Sequence, residues 1–316
     1  MTRKILVFLA IVALTCYSSV LTAQEKYTVK PRFEPGKYVQ TQVTSNDMVT
    51  RVGDLDSEDG IPMKQEITMK NILEVSRPNE QGTQKMKMTF AEIKMNQTMM
   101  GMEILYDSTD ENLQDPRIAP VYSAMLGSEI TFDLTQDGKS ENVKGFDDLW
   151  EKIAENMPGV GAEMLKTMKE NMGDEMLSNM MNGFDNDFGK EPRAIGEKWT
   201  ETKTQKIPVF GKSETALTHT LKSVKDNVAV IATDGKIKME GDAIEMGPVK
   251  MKFEKGDMGI VSTSNINLKT GLVFDVKGET KMDITAAMDM PVGNAPQMKL
   301  RITGNAVSTV KIEKVE

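Results

Sequence analysis

The sequence runs to 316 residues and carries a net charge of -8, from 39 Lys and Arg against 47 Asp and Glu. That acidic balance excludes a nucleic-acid binder, which needs clustered cations to neutralise phosphates. One His and one Cys exclude a Cys/His zinc site with its three or four ligands. Apolar residues at 39% suffice to bury a core, which excludes wholesale disorder.

At the start of the chain Arg3 and Lys4 precede an apolar run from Ile5 to Thr15. The run is too short to span a bilayer, which takes about 20 residues. Leu21-Thr22-Ala23 has the small-residue form of a cleavage site. Residues 1–23 therefore read as an export signal, with Gln24 as the mature N-terminus and a periplasmic or extracellular destination. The alternative is lipid attachment at Cys16, where Thr15 stands in the place a lipobox gives to a small residue. No later stretch approaches a transmembrane span. Removal of the signal takes away the single Cys, so the mature chain holds itself together by packing rather than by disulfides.

The first β half is expected over residues 24–144. Ile67, Met69, Leu73 and Val75 alternate, with Asn71 as a polar interruption. Met86, Met88 and Phe90 alternate, and Ile93 and Met95 resume one step out of phase, which predicts a bulge near Ala91-Glu92. Ile130, Phe132 and Leu134 alternate again, and Asp137-Gly138 predicts a tight hairpin turn.

A helical segment and loop follow over 145–192. Phe146, Leu149, Trp150, Ile153, Ala154 and Met157 share one helical face, with Asp147 and Asp148 in the first turn, where carboxylates suit the helix dipole. Pro158-Gly159 ends that helix. Met164, Leu165, Met168 and Met172 predict a second helix, and Met176, Leu177, Met180 and Met181 a short third. The stretch from Gly183 to Pro192 reads as a loop.

The second β half is expected over 193–316. Val228, Val230 and Ala232 alternate, Asp234-Gly235 predicts a turn, and Ile237 and Met239 alternate beyond it. Ile266 and Leu268 lead to a turn at Thr270-Gly271, followed by Leu272, Phe274 and Val276. Met282, Ile284, Ala286, Met288 and Met290 share one face of a long strand, and Met298, Leu300, Ile302, Val310 and Ile312 continue the pattern. Such alternation predicts antiparallel sheet with one apolar and one polar face. The openings Gly36-Lys37-Tyr38 and Gly196-Glu197-Lys198-Trp199 give the two β parts a shared rhythm.

Catalytic chemistry finds little support. His219 lies between Leu217 and Leu221 on a strand face and is expected to be partly exposed; no Gly-x-Ser-x-Gly elbow accompanies it. Phosphate-cradling motifs are absent. A carboxylate pair for glycoside hydrolysis remains an alternative, but only Trp150 and Trp199 are available to stack a sugar. No catalytic residue, metal ligand or cofactor is assigned. Two acidic loops, Asp54-Leu55-Asp56-Ser57-Glu58-Asp59-Gly60 and Asp185, Asp187 and Glu191, depart from calcium-loop spacing and read as solvated.

Methionine is the anomaly, at 26 residues. Most follow strand or helix periodicity, as core residues do. Thioethers such as Met99-Met100-Gly101-Met102 suit Cu(I), although no His or Cys stands nearby. Met also offers an adaptable apolar surface for guests of varied shape.

Several short segments resemble a family of exported bacterial β-rich proteins of unknown function: Gly36-Lys37-Tyr38, Phe132-Asp133-Leu134 through Gly138 to Val143-Lys144-Gly145-Phe146, Gly196-Glu197-Lys198-Trp199, and Leu268-Lys269-Thr270-Gly271-Leu272. That resemblance implies no activity. At the level of fold the pattern is similar to periplasmic lipoprotein carriers. The expectation is a mainly β protein with a helical segment: a curved antiparallel sheet, or two half-sheets or half-barrels, with Met-rich helices over the apolar face. Such a chain is expected to be a non-enzymatic envelope protein. Either it binds a lipid-like molecule beside Met164, Leu165, Met168, Met172, Met176 and Met180, or its core is filled and it partners another envelope protein.

Overall fold

Long runs of alternating apolar and polar residues, rich in Thr, Val, Ile and Met, favour extended chain, because each strand then presents one apolar face. The computed structural model describes residues 25–28, 33–53, 55, 59–136, 138–156, 191–207, 211–241, 243–246, 249–289 and 298–315. In chain order the elements are β1 (Lys26–Tyr27), β2 (Gly36–Val52), β3 (Ile61–Val75), β4 (Gln84–Met99), β5 (Met102–Asp107), a 3-10 turn (Glu111–Leu113), α1 (Ala119–Met125), β6 (Glu129–Leu134), β7 (Ser140–Lys144) and α2 (Phe146–Asn156). There follow β8 (Arg193–Ala194), β9 (Lys198–Ile207), β10 (Gly211–Lys225), β11 (Val228–Glu240), β12 (Ala243–Met246), β13 (Val249–Asn267), β14 (Val273–Asp289) and β15 (Met298–Lys314).

Thirteen strands form one antiparallel sheet in the order β7-β6-β4-β3-β2-β15-β14-β13-β11-β10-β9, with β5 on β4 and β12 on β13. The fold is thus mainly β, and the sheet is open, with β7 and β9 as its outer strands. The first and last long strands are neighbours: β2 pairs β15 from Tyr38↔Lys314 to Val52↔Leu300. One sheet therefore runs through both β parts. A separate two-stranded sheet joins β1 to β8.

The bulge expected at Ala91-Glu92 is present: Lys70 pairs Glu92, Asn71 pairs Phe90, and Ala91 is the extra residue. Met86, Met88, Phe90, Ile93 and Met95 consequently all face the same side. α2 matches its expected span, with Leu149 and Ile153 buried and Asp147 and Asp148 in the first turn. Its entry depends on Gly145, at φ +100, where a Cβ would stand 2.0 Å from the Glu129 carbonyl oxygen.

The expected turn at Asp234-Gly235 is not there. β11 runs straight through, with Gly235 paired to Leu217 on β10 and to Ile260 on β13. Gly is needed for room instead, since a Cβ would lie 2.4 Å from Leu217 Cδ2. The true reversal is at Asp226-Asn227, whose φ of 51 and 62 fit a two-residue hairpin turn. The buried set on β11 is Ala229, Ile231, Thr233, Gly235 and Met239, in one unbroken phase.

Most of the buried apolar side chains lie at one end of the strands, here called the base; Met239, Ala286 and Ala287 are buried toward the other end. Tyr38, Leu73, Met86, Ile130, Phe132 and Leu134 form one cluster with Ile312 and Phe33. Trp199, Leu221, Ala229, Ile231 and Ile266 form a second. α1 covers Ile93, Met95 and Tyr106, and α2 packs beside Ala124 against Phe90. Leu73 and Ile130 are fully buried, and each such side chain stabilises the fold by roughly 1.5–3 kcal/mol.

Candidate functional site

Registers carried across the sheet show how the face that bears these clusters continues toward the opposite, far end. Immediately beyond the clusters lies a polar belt. Asn46 Nδ2 donates to Gln65 Oε1 at 3.0 Å, and Gln65 Nε2 donates to Gln97 Oε1 at 3.0 Å, an amide ladder over β2, β3 and β4. The belt steps by one pair to Thr44 and Ser308, whose hydroxyls are 3.3 Å apart. It continues in register through Ser262 and Thr233 to His219.

Beyond the belt comes a row of methionines in direct cross-strand register. Met102 pairs Met99, Met99 pairs Met63, Met63 pairs Met48, Met48 pairs Gly304, Gly304 pairs Met282, Met282 pairs Met258, and Met258 pairs Ile237. The next row holds Ile61, Ile302 and Ile284. Met48, Met63, Met258, Met282, Ile284 and Ile302 are half-buried, unlike the base residues. A Cβ on Gly304 would stand 2.8 Å from Met48 Cγ, so Met48 lies across that glycine toward Met282. The result is a continuous thioether and sec-butyl field. Met has three rotatable bonds and a polarizable sulfur, so such a surface repacks readily around an apolar partner.

The reverse face is charged. Lys70, Glu92, Lys94 and Asp107 form an ion ladder, with Nζ–O distances of 2.7 Å for Lys70–Glu92 and 2.9 Å for Lys94–Asp107. Arg301 donates twice to Asp283 at 2.9 and 3.0 Å. The Thr109 hydroxyl, then Lys94, hold the Asp107 carboxyl down at about 2; the Arg117 guanidinium does the same for Asp115. A groove of about 910 Å³ on this face is lined by Lys37, Glu74, Lys85, Lys87, Asp133 and Lys144. Lys87 lies 3.1 Å from Glu74 and 3.2 Å from Glu129, so its charge is already matched.

His219 does share a face with Leu217 and Leu221, but it is 5% exposed, not partly open. Trp199 stacks on it at 5.3 Å and 26°, which excludes water. Its Nδ1 lies 2.9 Å from Thr233 Oγ1, and Glu201 Oε2 lies 3.6 Å from Nε2, beyond hydrogen-bonding range. Glu201 in turn pairs with Lys203. Thr233 is 7% exposed, so neither the hydroxyl nor the imidazole is presented to a substrate in solution.

Met164, Leu165, Met168, Met172, Met176 and Met180 lie outside the described residues, as do residues 1–23 and most of both acidic loops. Among the described residues no three His, Cys, Asp or Glu side chains converge on a metal-sized site, and no helix is long and apolar enough to cross a membrane. The methionine row escaped the sequence because it joins residues as far apart in the chain as Met48 and Met282. The phase of most strands was legible, but on β11 the alternating Val228, Val230 and Ala232 are not the buried set, which is Ala229, Ile231 and Thr233; the register between strands was not legible.

An open, one-sided apolar antiparallel sheet with a charged reverse face defines the class of protein. The chain belongs to a family of unknown function, DUF6263, whose profile matches residues 81–273. Three of the four resembling segments fall in that span. No curated protein matches the sequence. Among solved structures the chain is similar to one described as lipid–protein interactions in lipovitellin, at 9% identity and a TM-score of 0.49, over 90% of this chain and 26% of that one. The chain thus spans about a quarter of the lipovitellin chain. A porin from Rh. blastica matches at 7% identity and a TM-score of 0.21, over 85% and 99% of the two chains. A β-barrel-like protein of the DUF1849 domain from Brucella abortus matches at 10% identity and 0.17, over 90% and 100%. Scores this low carry no functional meaning.

Proposed function

We propose that this protein is a non-enzymatic, exported envelope protein that takes up an apolar, lipid-like molecule on the methionine field of its sheet. The observation that carries the reading is the division of a single sheet face by the polar belt. A folding core gains nothing from continuing past a row of amides and hydroxyls. Yet the apolar pattern resumes beyond that row, with Met48, Met258, Met282, Ile284 and Ile302 half-buried. Apolar surface left partly open at that extent favours a partner, at about 25 cal/mol for each Å² it covers. The non-enzymatic reading rests on the inaccessible His219–Thr233 pair.

A native mass spectrum of the protein from its own host tests both parts. The expected mass begins at Gln24 and carries a dissociable apolar guest. A fluorescent fatty acid should bind the purified chain, and the double variant Met258→Asp/Met282→Asp should weaken it about tenfold or more with the far-UV spectrum unchanged. A wild type that retains no guest and binds no probe sinks the carrier reading. The filled clusters at the base favour the second reading, an envelope structural protein without a ligand, and that result would support it.

A further inference from the structure

The hairpin joining β4 to β5 turns through Met100 at φ 53 and Gly101 at φ 76. Both lie in the left-handed region that a two-residue hairpin turn requires, where Asn-Gly is the favoured pair. A side chain with a Cβ is strained there. Met100 is also 64% exposed, so burial does not offset that strain. Stability therefore gives no account of a methionine at this position.

Its neighbours supply one. Met99 and Met102 close the turn as direct partners, and Met63 pairs Met99 from the other side. The three sit abreast on adjacent strands and on one face. Paired Cα atoms in antiparallel sheet are about 4.5–5.5 Å apart, within the reach of methionine side chains. The Met63 sulfur is already turned toward β4, where Gln97 Nε2 donates to it at 3.7 Å. Met102 is 49% exposed, so the group is open to solvent. Thioethers are neutral and soft. They bind Mg(II), Ca(II) and Zn(II) poorly and favour Cu(I).

We infer that Met63, Met99 and Met102, with Met100 as the solvent-side donor, form a binding site for a soft monovalent cation, Cu(I). The site uses the margin of the sheet at β3, β4 and β5, apart from the central field around Met258 and Met282, and it does not depend on uptake of an apolar guest.

Anaerobic titration of the mature chain with Cu(I) against a chromophoric chelator tests it, with Ag(I) as a redox-inert substitute. One tight equivalent of either ion is expected, with none of Ca(II) or Zn(II). The triple variant Met63→Leu/Met99→Leu/Met102→Leu conserves volume and should keep the fold, while losing that equivalent. Met258→Leu/Met282→Leu should retain it. The inference is overturned if the wild type binds neither ion, if the triple variant binds as the wild type does, or if the two variants lose binding equally.

Discussion

The base and the far end of the sheet are built from the same strands, with the same alternation, and they use their apolar face differently. At the base, Leu73, Ile130 and Ile266 have no exposed surface, because Phe33, Phe146 of α2 and Leu272 of the turn after β13 pack on the cluster of Leu73 and Ile130, and Tyr27, Leu268 and Val273 pack on that of Ile266. Toward the far end, Met48, Met63, Met258 and Met282 occupy equivalent positions and are half-buried. The residue types differ to match. Leu, Ile, Phe and Tyr, with well-defined rotamers, fill most of the closed part beside Met86, Met88 and Met95; adaptable Met, flanked by Ile61, Ile284 and Ile302, lines the open part. Apolar alternation in a strand therefore identifies a face, not a core. What separates the two here is a polar belt whose amides and hydroxyls hydrogen-bond to one another.

The sharpest way to break that comparison is to truncate matching positions. Leu73→Ala should lower stability by about 2–5 kcal/mol, measured by urea unfolding, since it opens a cavity that cannot collapse. Gly304→Ala comes next, at about 1–3 kcal/mol. Its Cβ would meet the Asp47 carbonyl oxygen at 2.4 Å and push Met48 aside, so it tests whether the methionine row packs across β15. Met282→Ala should cost only about 1 kcal/mol, as partial burial implies. A loss as large as that of Leu73→Ala would show that the far end is core after all.

The smallest effect is on the charged reverse face, which belongs to neither region. Asp107 is held at about 2 against an ordinary 3.8. A lowered carboxylate pKa contributes stability above the unfolded value, and that contribution fades as pH falls from 3.8 toward 2. Asp107 is half-buried but its partner Lys94 is open to solvent, so the effect is small and screened by salt. The Thr109 amide, which donates to Asp107 at 2.8 Å, should titrate by NMR with a midpoint near 2, and Asp107→Asn should abolish the transition.

The strand phases of β3, β4, β6, β14 and β15, the bulge at Ala91 and the span of α2 were legible because each depends on neighbours within a few residues. Asp234-Gly235 misled for the same reason. Asp-Gly is a local turn signal, and only the pairing of β11 with both β10 and β13 keeps it extended. His219 was placed on the correct face, but its burial follows from Trp199, twenty positions away and opposite it on β9.

The sequence by itself determined that the chain is antiparallel and mainly β, which residues of most strands share the apolar face, and that Cys/His metal chemistry is absent. Those properties follow from composition and from a period of two. Only the tertiary structure decided that both β parts make one sheet and that the apolar face divides at a belt. It also decided that Met102, Met99, Met63, Met48, Met282 and Met258 stand in one row. The physical reason is register. Shifting a strand by two residues preserves every side chain's face and every local preference. The pattern along the chain therefore leaves open which residues lie side by side, and the site is made of residues that lie side by side.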